Sequence, residues 1–284
     1  LIAGFFANLV LNPWFIYGGF GLPAMGITGI ALATLLVQGL GAVYLWIHLR
    51  RTGLVETVLH PDLTPKPKAL VELMVQAAPL AASLSAIGAF FFLANAYINT
   101  FGAAAVAAYG IGLRIEQLVL VPAMAINHAS LALTSNNVGA KRFDRVYESW
   151  HACIIASAVL LGVGSVLILL FGSQVMRAFS ADETVVALGV GYLMIEAFAL
   201  PAYAFIHTNG GVLQGVKRPA AVMWIGVGRS LVLPAICLPL LIDWAGFGLT
   251  SIWWMILVLA WASGLALQWH TWRVLRACSD DAGR

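Results

Sequence analysis

Four ionisable side chains, Arg114, Glu116, Glu196 and Arg229, stand well inside long apolar runs of this 284-residue chain. A charge held in hydrocarbon costs about 3 kcal/mol or more, so a side chain kept there needs a partner or a task. Glu196 lies about 11 residues from the outer end of its predicted helix, roughly 16 Å deep at about 1.5 Å per residue and close to the midplane of a bilayer. A carboxyl desolvated at that depth is suited to exchange a proton or to bind a cation. It is equally suited to a structural ion pair with Arg114, which sits at the same estimated depth. Arg114 and Glu116 are two positions apart on one helix and do not face one another, so each needs its own partner.

Uncharged polar groups add a second set of candidates. Asn8 and Asn12 are one helical turn apart and present two amides on one face, for an ion, a ligand or helix–helix hydrogen bonding. Asn95 and Asn99 repeat that spacing. Thr34, Gln38, Tyr97 and His207 complete the residues expected to line a substrate cleft. His207 could titrate, but a lone histidine beside Thr208 and Asn209 reads first as a hydrogen-bonded packing residue. Phe90, Phe91, Phe92, Tyr97 and Trp224 could stack on aromatic cations or face lipid, and Trp244, Trp253 and Trp254 read as an interfacial belt. No glycine-rich phosphate loop, metal-ligand spacing or nucleophile elbow is found, so no enzyme chemistry, metal or cofactor is expected. Cys153 and Cys237 lie in apolar runs and Cys278 in a polar tail, with no disulfide framework.

The elements that must position these groups are membrane helices. Only 10% of the residues are charged and 61% are hydrophobic, with mean hydropathy +0.92. Soluble domains carry about 25% charged residues, and so few charges cannot clothe a water-soluble surface. A crossing helix needs about 20 apolar residues, and eight segments qualify, at 1–18, 27–49, 71–99, 103–134, 146–171, 185–213, 219–241 and 248–274. Pro79, Pro122, Pro201, Pro234 and Pro239 are expected to kink several of them.

The basic residues test this count. With loops alternating across the membrane, twelve of the fifteen Lys and Arg fall on one side. They are Arg50, Arg51, Lys66 and Lys68; Lys141, Arg142 and Arg145; Lys217 and Arg218; and Arg273, Arg276 and Arg284. The opposite side carries Arg177 alone. The bias places the C-terminus in the cytoplasm. The same basic residues form short clusters rather than a stripe, which argues against nucleic acid as a partner despite the net charge of +3.

The first two segments overlay the last two at an offset of 222, with Leu9-Val10-Leu11 on Leu231-Val232-Leu233, Gly26 on Gly248, Thr28 on Thr250, His48 on His270 and Arg51 on Arg273. Helix ends, outer turn and basic flank agree together. Transporters are often built from such repeats, and completing the repeat calls for four helices, roughly 150 residues, ahead of Leu1. The opening Leu1-Ile2-Ala3-Gly4-Phe5-Phe6 has no charged n-region and reads as the interior of a membrane helix.

The runs Asn8-Leu9-Val10-Leu11-Asn12-Pro13-Trp14-Phe15-Ile16-Tyr17-Gly18, Gly29-Ile30-Ala31-Leu32-Ala33-Thr34, Ala107-Ala108-Tyr109-Gly110-Ile111-Gly112-Leu113-Arg114-Ile115-Glu116, Val138-Gly139-Ala140-Lys141-Arg142 and Gly211-Val212-Leu213-Gln214-Gly215-Val216-Lys217-Arg218-Pro219 occur in that order. Together they resemble the multidrug and toxic compound extrusion (MATE) family from its fifth helix to its end. Three features depart from the family pattern: Asn12 stands where many members place Asp, Ser135-Asn136 replaces Gly-Gln, and 71–99 has no acid beyond Glu72.

The resemblance implies an all-α polytopic membrane protein, eight transmembrane helices of a twelve-helix, two-lobe transporter. Residues 1–50 would close the first lobe, 51–70 link the lobes, 71–274 form a six-helix second lobe and 275–284 a cytoplasmic tail. The implied function is export of small organic cations in exchange for H⁺ or Na⁺ by a monomer in the inner (plasma) membrane, with the lipid bilayer as its solvent. Ion coupling would rest on Glu196, Glu116, Arg114, Asn12 and Asn8. A lipid-linked oligosaccharide flippase of related build and a non-transporting scaffold are the alternatives. The first asks for a more cationic cleft than Arg114 and Arg229 supply, and the second needs no midplane charge.

Overall fold

The computed structural model describes residues 2–19, 23–52 and 67–282. Lys66, Arg284, the Glu72 side chain and most of the expected 51–70 linker lie outside the described residues. Among those described, the chain is helical in the predicted order: α1 (Ile2–Tyr17), α2 (Gly26–Arg51), α3 (Pro67–Asn99), α4 (Ala103–Gly139), α5 (Phe143–Phe179), α6 (Glu183–Gly215), α7 (Ala220–Trp244) and α8 (Thr250–Ala282). Helices α2 to α8 are long and apolar enough to cross a membrane. The described α1 has 16 residues, short of the usual crossing length.

Several helices run well past their predicted ends. At 37 residues, α4 and α5 are each about 55 Å long at about 1.5 Å per residue, against a hydrocarbon core of about 30 Å. Hydropathy registers only the part dissolved in lipid, whereas backbone hydrogen bonding carries a helix on into water. The α assignment is unbroken through Pro79, Pro122 and Pro201. In α7, by contrast, Gly228–Val232 and Pro239–Trp244 are π-helical turns, the second opening on Pro239 and the first ending two residues before Pro234. A proline has no N–H to give to the ladder and crowds the preceding turn, and local widening relieves both.

Two stops share one design. After α4 and after α6 a lysine takes the left-handed conformation, Lys141 at φ 55° and Lys217 at φ 59°. The N–H of Arg142 donates to the Asn137 carbonyl (2.9 Å) and that of Arg218 to the Leu213 carbonyl (2.8 Å). Gly139-Ala140-Lys141-Arg142 and Gly215-Val216-Lys217-Arg218 thus close two helix C-termini alike, with cations at the negative end of each dipole. At the other end, Asp182 caps α6 through Thr184 N (2.8 Å) and Val185 N (3.4 Å), beside an Arg177–Glu183 ion pair at 3.2 Å.

The chain divides into two compact units, Leu1–Ala69 and Leu70–Arg284. In the first, α1 packs on α2, with Gly29 under the Phe15 backbone. In the second, α6 is the central helix, in contact with α4, α5 and α8. Its buried Gly189, Ala197, Ala202, Ala204, Gly210, Gly211 and Gly215 let neighbours approach closely. The last turns of α3 add Ala94 and Ile98 to the same core.

Candidate functional site

The α4–α6 seam brings together the two carboxyls marked by their depth. Glu116 is 6% exposed and Glu196 1%. On α4, Tyr109, Gly112 and Glu116 fall at i, i+3 and i+7; on α6, Tyr192, Glu196 and Tyr203 fall at i, i+4 and i+11. Each set therefore lies on one helical face. The Tyr192 hydroxyl donates to Glu116 Oε2. Its ring lies so close to Gly112 that a Cβ there would stand 2.8 Å from Tyr192 Cε1, so position 112 must stay bare. Tyr109 stacks on Trp253 of α8 (centroids 5.5 Å apart, planes 17°), and Tyr192 meets Trp253 edge-on at 4.8 Å. Trp253 is 3% exposed, which corrects the expectation that it belongs to an interfacial belt. Trp244 and Trp254 are exposed.

The cation of this cluster is Arg229, not Arg114. Arg229 lies in the first π-helical turn of α7, with its guanidinium 5.4 Å from the centre of the Tyr203 ring; it forms no ion pair among the described residues, and its charge reaches both carboxyls from beyond ion-pair distance. Arg114 is exposed and forms no ion pair among the described residues, so the expected Arg114–Glu196 pair is not made. On a helix, residue 114 points away from the face that carries 109, 112 and 116. The two buried carboxyls outnumber the half-buried guanidinium, so with both ionised one negative charge would be left uncompensated. Glu196 Oε1 is buried with no hydrogen-bond donor among the described residues. A buried carboxylate oxygen left this way is costly, and one proton or one monovalent cation would satisfy both the oxygen and the charge.

His207, one turn beyond Tyr203, is half-buried, with its ring 6.4 Å from that of Tyr203 and within reach of the Arg229 charge. Tyr97 meets an acid that sequence reasoning passes over, Asp243 at the end of α7, its hydroxyl donating across 3.2 Å. Asn95 is exposed and spends its amide on the Phe91 carbonyl (2.9 Å), and Asn99 is exposed. Phe92 and Trp224 are exposed as well. In the first unit, Asn8 and Asn12 each hold a buried Oδ1 with no donor among the described residues. Thr34 donates to the Ile30 carbonyl (2.9 Å) and Gln38 is exposed. No group of three or more metal-ligating side chains occurs among the described residues.

Tyr192→Phe is expected to lower stability by about 1–3 kcal/mol, the cost of leaving a buried acceptor without its donor. A fall in the thermal unfolding midpoint of the purified protein checks it.

The MatE family model matches residues 79–239, which includes Glu116, Tyr192, Glu196, Tyr203 and Arg229. The chain is 26% identical over 257 residues to the multidrug export protein MepA of Staphylococcus haemolyticus, covering 88% of this chain and 54% of that protein. It is 25% identical over 225 residues to the multidrug resistance protein NorM of Photobacterium profundum, covering 77% and 48%. The chain thus spans about half the length of these curated relatives. A solved structure of a multidrug resistance MATE family transporter of the MOP superfamily, in its outward-facing conformation, superimposes with TM-score 0.87 at 21% identity, over 97% of this chain and 61% of that one. With five ordered motifs, a matching family model and this fold in agreement, the chain belongs to the MatE family, the multidrug and toxic compound extrusion transporters.

Proposed function

We propose that this chain carries the ion-coupling lobe of a secondary active exporter that moves organic cations or drugs outward in exchange for H⁺ or Na⁺. The observation that carries the reading is the buried Glu116 and Glu196 beside the half-buried Arg229, two acids to one base, with an orphaned oxygen on Glu196. Binding of a single cation there would favour one of two lobe arrangements, and its release the other, which is all that exchange requires. Glu196 is the coupling residue, Glu116 its tyrosine-anchored neighbour, and Arg229 the fixed charge that keeps the site from taking more than one ion.

Leu1–Ala69 and Leu70–Arg284 are read as the end of one lobe with its linker and the whole of another. The repeat at offset 222 supports four further helices ahead of α1 in the working transporter. Asn8 and Asn12, whose amide oxygens are buried without donors among the described residues, would then face polar groups from those helices. The basic bias supports insertion in the inner membrane with the C-terminus in the cytoplasm, and one copy suffices for the scheme.

Everted vesicles holding the intact transporter test the proposal. Ethidium added outside should discharge a preformed acid-inside H⁺ gradient or, if Na⁺ is the coupling ion, a preformed Na⁺-inside gradient. Absence of any ethidium-dependent discharge with both gradients overturns it.

A further inference from the structure

The starting turns of α5 and the second half of α8 flank an open groove of about 540 Å³ that the ion site does not use. Its walls are Tyr147, Trp150 and His151 from α5 and Gln268, Trp269 and Trp272 from α8. Tyr147, Trp150 and His151 form one aromatic cluster, with centroids 4.7–5.3 Å apart. The inner wall is rigid: Trp150 Nε1 donates to Asn209 Oδ1 and Asn209 Nδ2 to Gln268 Oε1, both at 2.8 Å, and Asn209 is fully buried. The outer wall is different. The indole N–H groups of Trp269 and Trp272 and the Tyr147 hydroxyl have no acceptor among the described residues. Arg273 lies 3.7 Å over the Trp269 ring and Arg276 3.9 Å over the Trp272 ring, and neither has an ion-pair partner among the residues whose side chains are described, which end before Asp280 and Asp281. No acidic side chain lines the groove among the described residues.

A concave, aromatic surface with free donors, and with two guanidinium groups over its Trp269 and Trp272 rings, suits a ligand that offers acceptors and negative charge on an apolar body. An organic cation is a poorer match, because two of the rings already carry a guanidinium. We propose that the groove binds an anionic phospholipid of the cytoplasmic leaflet. Its phosphodiester would be held by Arg273, Arg276 and the indole N–H groups, and its acyl chain would lie along the aromatic wall between α5 and α8. The leaflet follows from the proposed orientation, whereas the site itself does not depend on it. Anionic lipid is drawn to basic juxtamembrane sites by about 1 kcal/mol per Lys or Arg, and tryptophan favours headgroup depth.

Native mass spectrometry of the purified intact transporter, in detergent doped with phosphatidylglycerol or phosphatidylcholine, tests the site without regard to orientation or transport. The protein is expected to retain phosphatidylglycerol at least about fivefold better, and Arg273→Gln/Arg276→Gln to abolish the preference. Lys141→Gln/Arg142→Gln, which removes as much charge elsewhere on that side, should leave it intact. Equal retention of the two lipids, or equal loss in the two double variants, overturns the site. Impermeant thiol labelling of Lys217→Cys reads the orientation separately.

Discussion

Glu196→Gln is expected to abolish the proposed ion-coupled efflux of the intact transporter while the protein still folds. Glutamine keeps the shape of the side chain and removes its charge, so the remaining Glu116 and Arg229 balance each other and the site has no call for a cation. A coupling ion shifts two states only through a difference in its affinity for them, and in this variant that difference vanishes. Ethidium-dependent discharge of the ion gradient is expected to fall at least about a hundredfold, equivalent to about 2.7 kcal/mol. Stability should hold or rise, since the substitution removes a charge at a position that is 1% exposed. Glu116→Gln is the informative comparison. Its carboxyl is already anchored by Tyr192, and its loss is expected to weaken coupling less. Unchanged coupling in Glu196→Gln would move the residue from ion exchange to packing.

How far the sequence reveals this site follows from energetics. A carboxyl in an apolar run is conspicuous because the bilayer makes it costly, so residue type and position alone single out Glu116 and Glu196. Their companions are not marked in this way. Tyr192, Tyr203 and Tyr109 carry no charge, and an aromatic ring in a membrane helix is most simply read as packing. The signal that could find them is helical spacing, Tyr192 one turn from Glu196 and Tyr203 two turns beyond it, Tyr109 two turns before Glu116. Trp253 departs from its expected place for a related reason. Position along a helix gives depth but not azimuth, and Trp253 and Trp254 at nearly equal depth face core and exterior respectively. Azimuth also decides against Arg114: depth alone pairs it with Glu196, whereas the face of α4 directs it away. The helices themselves are legible because hydropathy and the basic bias report lipid directly. Their extensions into water are not, and neither are the π-helical turns of α7, which depend on ladder geometry around Pro234 and Pro239.

The α4–α6 seam that holds the two carboxyls should fail if its glycines are filled. At Gly211 an added Cβ would run into the Asn127 carbonyl oxygen and stand 3.1 Å from both Leu131 N and Ser130 Cβ. At Gly215 it would lie 2.7 Å from Thr134 Cβ. The first obstacle is backbone, which no rotamer change can move aside, so the helices themselves must separate. Overpacking in a well-filled interior costs about 1–3 kcal/mol and more where backbone must shift. Gly211→Leu is therefore expected to destabilise by about 3 kcal/mol or more, read as a sharp fall in thermal midpoint and loss of a monodisperse peak in size-exclusion chromatography. Gly191→Leu on the same helix is the control: position 191 is exposed and nothing lies within 4 Å of its would-be Cβ. It should change stability by no more than about 0.5 kcal/mol. Equal tolerance at 191 and 211 would mean that α4 and α6 are not held at this distance. Glu116 and Glu196, one on each helix, would then lose the fixed separation that the proposed ion site requires.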